Sequence, residues 1–237
     1  MSIETILLLT ESVLLVLTII LLLYSIREAR HRKQLLMAVG KAVKILTRTE
    51  YFTTISESIS EAEEDIFGYV TGRRASGNDE KKVTIIMAAI RRAIARGVNV
   101  RYILPKFHDR LYMGYIYSAA GAEVRYRPSH VIHSLRYMVV DGKTAIVGIP
   151  ETIDQEEMTG KGHWLPSKAL ADVLKQHFYS RWGNSLSFGD FFNEVLSQTK
   201  ASADELALEL DIDPKKMQRI IARDKANQEA APRREGG

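Results

Sequence analysis

Apolar and polar positions divide the chain into two regimes. Residues 3–26, "IETILLLTESVLLVLTIILLLYSI", contain no Lys or Arg, and Ile6 to Ile26 is a nearly unbroken apolar run. Its length suffices to cross ~30 Å of hydrocarbon as a helix. It predicts one transmembrane helix within residues 1–26. Glu11 interrupts the run near its outer end, where a carboxyl reaches water or is protonated at modest cost. No basic stretch precedes the run and no small-x-small cleavage pattern follows it, so it reads as an anchor rather than a signal peptide. "REARHRKQ" comes next, with Arg27, Arg30, Arg32 and Lys33. Basic residues stay on the cytoplasmic side, so the reading is a single-pass cell-membrane protein with its N-terminus outside and its bulk in the cytoplasm. Leu35, Leu36, Val39, Val43 and Leu46 continue at helical spacing and predict a basic juxtamembrane stalk helix over 27–47.

From Thr47 onward helix and strand patterns alternate. "EYFTTISESISEAEE" puts Ile55, Ile59 and Ala62 on one helical face, and "DIFGYVTG" reads as a short buried strand. "VTIIMAAIRRAIARG" is a helix closed by Gly97, "VNVRYIL" a strand stopped by Pro105, and "HDRLYMGYIYSAAG" a helix closed by Gly121. "AEVRYR" is a strand, and "LRYMVVDGKTAIVG" a strand pair turning at Asp141-Gly142-Lys143. "TGKGHW" has two glycines and reads as a loop. "SKALADVLKQHFYSRW" is an amphipathic helix with Leu170, Val173, Leu174, Phe178 and Trp182 inward. This alternation predicts an α/β layered fold. Residues 185–225 read as a helical module. Within it, 202–225 forms a helix-turn-helix-like pair, with a Ser202/Glu205 capping box, Asp213-Pro214 opening the second helix, and a small core of its own expected from Leu206, Leu210, Ile212, Met217, Ile220 and Ile221. Asp211 stands in its turn where glycine is common. "NQEAAPRREGG" predicts a disordered tail over 226–237.

Composition changes this picture little. The 237 residues allow one ordinary domain with appendages, and the absence of cysteine excludes disulfides, thiolate metal sites and cysteine nucleophiles. All 33 Lys and Arg lie beyond residue 26, as do all of the 29 acids except Glu4 and Glu11. The remainder is thus mildly basic, compatible with anionic lipid or nucleic acid.

Four segments carry a resemblance: "RGVNVRYIL", "GAEVRYR", "LRYMVVDGKTAIVGIPE" and the helix ending "HFYSRW", in that order. Together they resemble a phospholipase D-like domain over residues 48–184, above all the degenerate versions in prokaryotic sugar-sensing transcriptional regulators. The resemblance implies a layered sheet flanked by helices. Active members of that family carry H-x-K-x4-D followed by a Gly-Ser-x-Asn-like element. The His attacks phosphorus, the Lys stabilises phosphate charge, the Asp supports the site, and a second His protonates the leaving group. Counting back from Asp141 puts Arg136 at the Lys position and Ser134 at the His position. Arg136 keeps a charge suited to bidentate phosphate binding, whereas Ser134 has no base beside it in sequence. His133 is displaced by one residue, which on a strand reverses its direction unless a bulge re-aims it. Gly148 is retained, while Ile149 and Glu151 replace the family's Ser and Asn; Glu151 is a candidate partner of Arg136.

The resemblance therefore implies a non-catalytic sensor or scaffold that binds an anionic or sugar-like ligand, or a partner, with Arg136, Lys143 and Glu151 as candidate ligand-binding residues. A dimeric membrane-tethered phosphodiesterase, nuclease or phospholipase, using His133 is the alternative. One motif where the active fold uses two implies a homodimer. Arg125, Arg127, Arg136 and Lys143 make the best basic cluster. Lys215, Lys216, Arg219 and Arg223 on the last helix are candidates for nucleic-acid contact, but the segment lacks a net basic footprint, and a protein-interaction module fits equally. The six histidines show no metal-ligand spacing, and His108, His163 and His177 read as structural or solvent-facing. No metal or cofactor is implied.

Overall fold

The computed structural model describes residues 43–230 except 76, 129–135 and 151–158, together with Leu14 and Thr18. The chain divides into two compact units, Met1–Val43 and Lys44–Gly237. In the first, Leu14 and Thr18 are helical, and Thr18 Oγ1 donates to the Leu14 carbonyl at 2.8 Å. No helix among the described residues is long and apolar enough to cross a membrane. The rest of the span expected at 1–26, and the stalk as far as residue 42, lie outside them.

The second unit opens on β1 (Lys44–Thr47), where the stalk helix was expected to end. Leu46 is fully buried while its neighbour Ile45 is 65% exposed, the period of two that a strand produces. Thr47 then caps α1 (Arg48–Glu61) in a reciprocal capping box with Glu50. The chain continues through β2 (Asp65–Tyr69), α2 (Asn78–Ala95), β3 (Asn99–Pro105), a 3-10 turn (His108–Arg110), α3 (Leu111–Ala119), β4 (Glu123–Arg127), β5 (Arg136–Val140), β6 (Thr144–Pro150) and β7 (Thr159–Leu165). It ends with α4 (Lys168–Trp182), β8 (Leu186–Ser187), α5 (Phe188–Thr199), α6 (Ala203–Glu209) and α7 (Pro214–Ala230). The described strands form one mixed sheet in the order β1-β7-β6-β5-β2-β3-β4-β8. β2, β3 and β4 run parallel, and every other pairing is antiparallel.

Strand alternation gives the sheet two apolar faces. Ile66, Tyr102, Tyr126, Met138 and Ile146 join the core formed with α1, α2, α3 and the C-terminal helices. Phe67 and Tyr69 turn the other way, onto Phe178 of α4. Val173, expected inward on α4, is 60% exposed.

Three further expectations change. "TGKGHW" is no loop: it lies in β7, between β1 and β6. A Cβ on Gly162 would sit 2.2 Å from Tyr51 Cδ2, so glycine lets α1 pack directly on the strand. The helix pair 202–225 has no private core. Leu206, Ile212, Met217 and Ile220 belong to the same core as the sheet, and Arg223 donates to the Ala122 carbonyl at 3.3 Å. Finally, α7 runs to Ala230, past the expected start of the tail at 226; residues 231–237 lie outside the described ones. Asp211, in the turn between α6 and α7, takes the left-handed φ of 58° that glycine usually supplies.

Candidate functional site

The sheet order reverses direction between β2 and β5. From β2 the chain moves outward to β3 and β4, then returns to the other side of β2 as β5. In open α/β sheets, the crevice beyond the strand carboxyl ends at such a switch point is the usual ligand site. Arg136 is the first residue of β5, paired with Gly148; Tyr137 beside it pairs with Tyr69, the last residue of β2. Arg136 therefore stands at the carboxyl end of the parallel strands. It shares a face with Met138, and although charged it is only 6% exposed.

Arg136 lines a cavity of about 250 Å³ between that face, α1, α2 and the β2–α2 loop. Arg48 and Arg74 add positive charge, and Tyr51, Tyr102 and Tyr117 add phenols. Burial pushes the Tyr51 phenol up to about 12, against the lowering pull of Arg136. Burial raises Tyr102 and Tyr117 as well. All three stay protonated at neutral pH, as neutral hydroxyls on aromatic walls. Asp79 is the lining's carboxylate among the described residues. Burial disfavours its charge, but hydrogen bonds and charge from Arg48 and Lys82 outweigh burial and hold its pKa below the usual value. Arg48 donates to Asp79 Oδ2, and Lys82 Nζ lies 3.0 Å from Oδ1. Arg74 stacks 4.0 Å over the Tyr112 ring and pairs with Asp211 at 2.9 Å. The arrangement suits an anionic group at Arg136 with an aromatic-lined space beside it.

Of the residues predicted from sequence, Asp141 and Lys143 do not meet Arg136 here. His133, Ser134 and Glu151 lie outside the described residues. Asp141 occupies the opposite end of β5, at φ +50° in the three-residue connection Asp141–Lys143, with Gly142 at φ +59° and Lys143 N–H donating to the Val140 carbonyl at 3.0 Å. Asp and Gly are among the residues that most readily take positive φ at a bend. The Asp141 carboxylate accepts the backbone N–H groups of Glu63 (3.1 Å), Glu64 (2.9 Å) and Asp65 (3.1 Å). It anchors the start of β2 and does not face Arg136. Lys143 is exposed in the same turn, so it stands a strand length away from Arg136 instead of beside it. The expected basic cluster likewise splits between faces: Arg125 stacks 4.6 Å over Trp182 and donates to its carbonyl at 2.8 Å, on the α4 side. On α7, Lys215, Lys216 and Arg219 are exposed, while Arg223 is engaged with Ala122. No cluster of three or more metal-ligating side chains occurs among the described residues. Arg48, Tyr51 and Arg74 were not anticipated; Arg48 and Tyr51 sit beside apolar helix positions, whereas Arg74 comes from the polar β2–α2 loop.

No family model matches the sequence, and no curated protein matches it. Among solved structures, the chain is similar to the archaeal chromatin protein TrmBL2, which shows a novel mode of DNA binding. The identity is 16% and the TM-score 0.44, over 68% of this chain and 62% of that one. This chain thus spans less than two thirds of that protein. It is also similar to Nuc from Salmonella typhimurium, a phospholipase D family member, with 17% identity and a TM-score of 0.47 over 62% of this chain and 97% of that one. NucT from Helicobacter pylori is similar at 11% identity and a TM-score of 0.47, over 61% and 98% of the two chains. The structural neighbours thus include phospholipase D family members.

Proposed function

We propose that residues 48–184 form the body of a phospholipase D-like domain that binds an anionic or sugar-like ligand without hydrolysing it. One observation carries the reading. Arg136, buried at the sheet's switch point, lines a cavity whose described walls offer cations and protonated phenols, and whose carboxylate is already tied to Arg48 and Lys82. Such walls hold charge and stack on a ring. General acid–base work needs a group that exchanges protons near neutral pH, and the described lining has none. The apolar run to Ile26 and the basic cluster after it support a membrane anchor that keeps this domain on the cytoplasmic side. The single motif supports a homodimer.

The test uses the full chain in a neutral detergent. Inorganic phosphate and glucose 6-phosphate should raise the thermal midpoint, glucose 6-phosphate more than glucose, and Arg136→Gln should reduce both shifts. Bis(p-nitrophenyl) phosphate should not turn over, with or without divalent metal. Turnover that vanishes in His133→Ala would replace this reading with a phosphodiesterase. Protease added outside intact cells should leave residues beyond Arg27 uncut.

A further inference from the structure

The opposite face of the same sheet end carries a second polar cluster, built on Tyr69 and Tyr137, which also border the Arg136 cavity where the strands end. Tyr69 ends β2 and Tyr137 follows Arg136 on β5; both rings turn toward α4. Tyr137 Oη lies 2.9 Å from His177 Nδ1, and the Tyr69 and His177 rings sit 5.3 Å apart at 36°. Arg127, the last residue of β4, donates from Nη1 to the Arg181 carbonyl at 3.2 Å. That bond ties β4 to the last turn of α4 and brings two arginines to the same corner.

The fold leaves donors here without acceptors. Tyr69 is 3% exposed, and its buried hydroxyl has no hydrogen-bond partner among the described residues. Arg181 Nε is buried and equally unpartnered. The charges that reach both Tyr69 and His177 are those of Arg127 and Arg181, with no carboxylate among the described residues to balance them. A buried donor without an acceptor is destabilising, and two cations brought together repel. Burial and then the two arginines lower the His177 pKa, so its imidazole is neutral at pH 7. Tyr137 Oη, which also donates to the Leu174 carbonyl at 3.3 Å, ties the neutral ring to β5 through Nδ1. Two buried donors without an acceptor, the Tyr69 hydroxyl on β2 and Arg181 Nε on α4, thus meet beside the neutral His177 ring and the positive charge of Arg127 from β4.

We propose that Tyr69, Arg127, His177 and Arg181 form a second anion site, on the α4 face, for a phosphate group. A phosphate supplies several acceptor oxygens in a tetrahedral array and up to two negative charges, which matches donors arriving from three elements. A carboxylate has one charge and two oxygens in a plane, and satisfies fewer of them. The site lies across the sheet from Arg136, so the two are tested independently.

The experiment follows the His177 ring resonances of the full chain in a neutral detergent, at constant ionic strength, while inorganic phosphate replaces chloride; acetate is titrated in parallel. Phosphate should shift the His177 signals saturably, and acetate should fail to saturate over the same range. Tyr69→Phe and Arg181→Gln should each weaken phosphate by about tenfold, the value of one charge-assisted hydrogen bond. Arg136→Gln should leave the His177 titration unchanged, whatever becomes of the other cavity. Tyr69→Phe removes only an unpartnered hydroxyl, so its unfolding midpoint should equal or exceed that of the natural chain. The proposal is overturned by a non-saturable phosphate response, by acetate saturating as readily as phosphate, or by a Tyr69→Phe chain that loses stability while keeping its phosphate affinity.

Discussion

Asp141 offers a sharp test, because the family resemblance assigns it to the site and the geometry assigns it to the frame. Its carboxylate receives the N–H groups of Glu63, Glu64 and Asp65, and its own N–H donates to the Asp65 carbonyl at 2.8 Å. In Asp141→Ala all three donors lose a charged acceptor. Glu63 and Glu64 are exposed, so water takes their N–H groups at small cost, whereas Asp65 is half-buried. One poorly replaced bond of this kind is worth roughly 1.5–2 kcal/mol, and the two wet ones a few tenths each. Alanine at φ +50° adds ~1 kcal/mol. The sum is about 3 kcal/mol. Asp141→Asn keeps one acceptor oxygen and tolerates the left-handed backbone, so it should lose only about 1 kcal/mol. Both tryptophans, Trp164 and Trp182, lie in the second unit, so urea unfolding followed by their fluorescence reports that unit alone. Phosphate affinity at the Arg136 cavity should not change in the Asn variant, since the five residues of β5, ~16 Å of strand, separate the two positions. An Ala variant within 0.5 kcal/mol of the natural chain, or an Asn variant that loses ligand without losing stability, would refute the reasoning and return Asp141 to the site.

Gly162→Ala drives a Cβ to 2.2 Å from the Tyr51 ring, a clash that should cost ~1–3 kcal/mol in the same urea assay; a neutral result would mean that α1 is free to lift off β7. Asp224 is buried, and burial raises its pKa over the opposing pull of Arg223 and the Gly189 N–H. The folded state therefore holds its proton more tightly than the unfolded state, and stability attributable to this group is present at low pH and lost as pH rises through the raised value. Asp224→Asn should accordingly be more stable than the natural chain at pH 7, with an advantage that shrinks on acidification toward the ordinary carboxylate range; an advantage that grows would contradict the shift. If α7 contacts DNA through Lys215, Lys216 and Arg219, log K should fall with log salt at a slope of roughly −2 to −3, and the triple Ala variant should abolish it. Arg223→Ala should instead cost stability, because its guanidinium is bonded to Ala122; unchanged salt dependence in the triple variant would remove α7 from any DNA interface.

The helix–strand alternation was legible wherever period and punctuation agreed. The stretch from Asn78 to Pro105 shows this well: an apolar helix stripe, a closing glycine, a β-branched strand and a proline follow one another. Reading failed where a segment was too short or where tertiary contact set the conformation. Leu46 fits the last position of a helical stripe as well as it fits a strand, and four residues cannot separate the two periods. Gly160 and Gly162 look like loop residues until Tyr51, more than a hundred positions earlier, presses against the strand. The last helices seemed self-sufficient because their apolar residues are close in sequence. Their partners include α3 and the sheet, which are distant in the chain, as well as the neighbouring α5.

The candidate site was half legible, for a physical reason. Asp141-Gly142 fixes the turn, the turn fixes the β5 register, and the period of two then puts Arg136 on the same face as Met138. The same rule turns Tyr137 to the other face, so neighbouring residues serve different clusters. What surrounds each of them comes from elsewhere: Arg48 and Tyr51 from α1, Arg74 from the β2–α2 loop, His177 and Arg181 from α4. Between the two clusters, a Cβ on Gly68 would lie 2.2 Å from the Tyr137 carbonyl oxygen, so β2 and β5 meet there with no room for a side chain. The spacing between Arg136 on one face and Tyr69 and Tyr137 on the other is thus set by paired backbone, not by loops. A ligand on either face meets a rigid strand end, and the adaptable parts of each site are the long side chains that reach it from the helices.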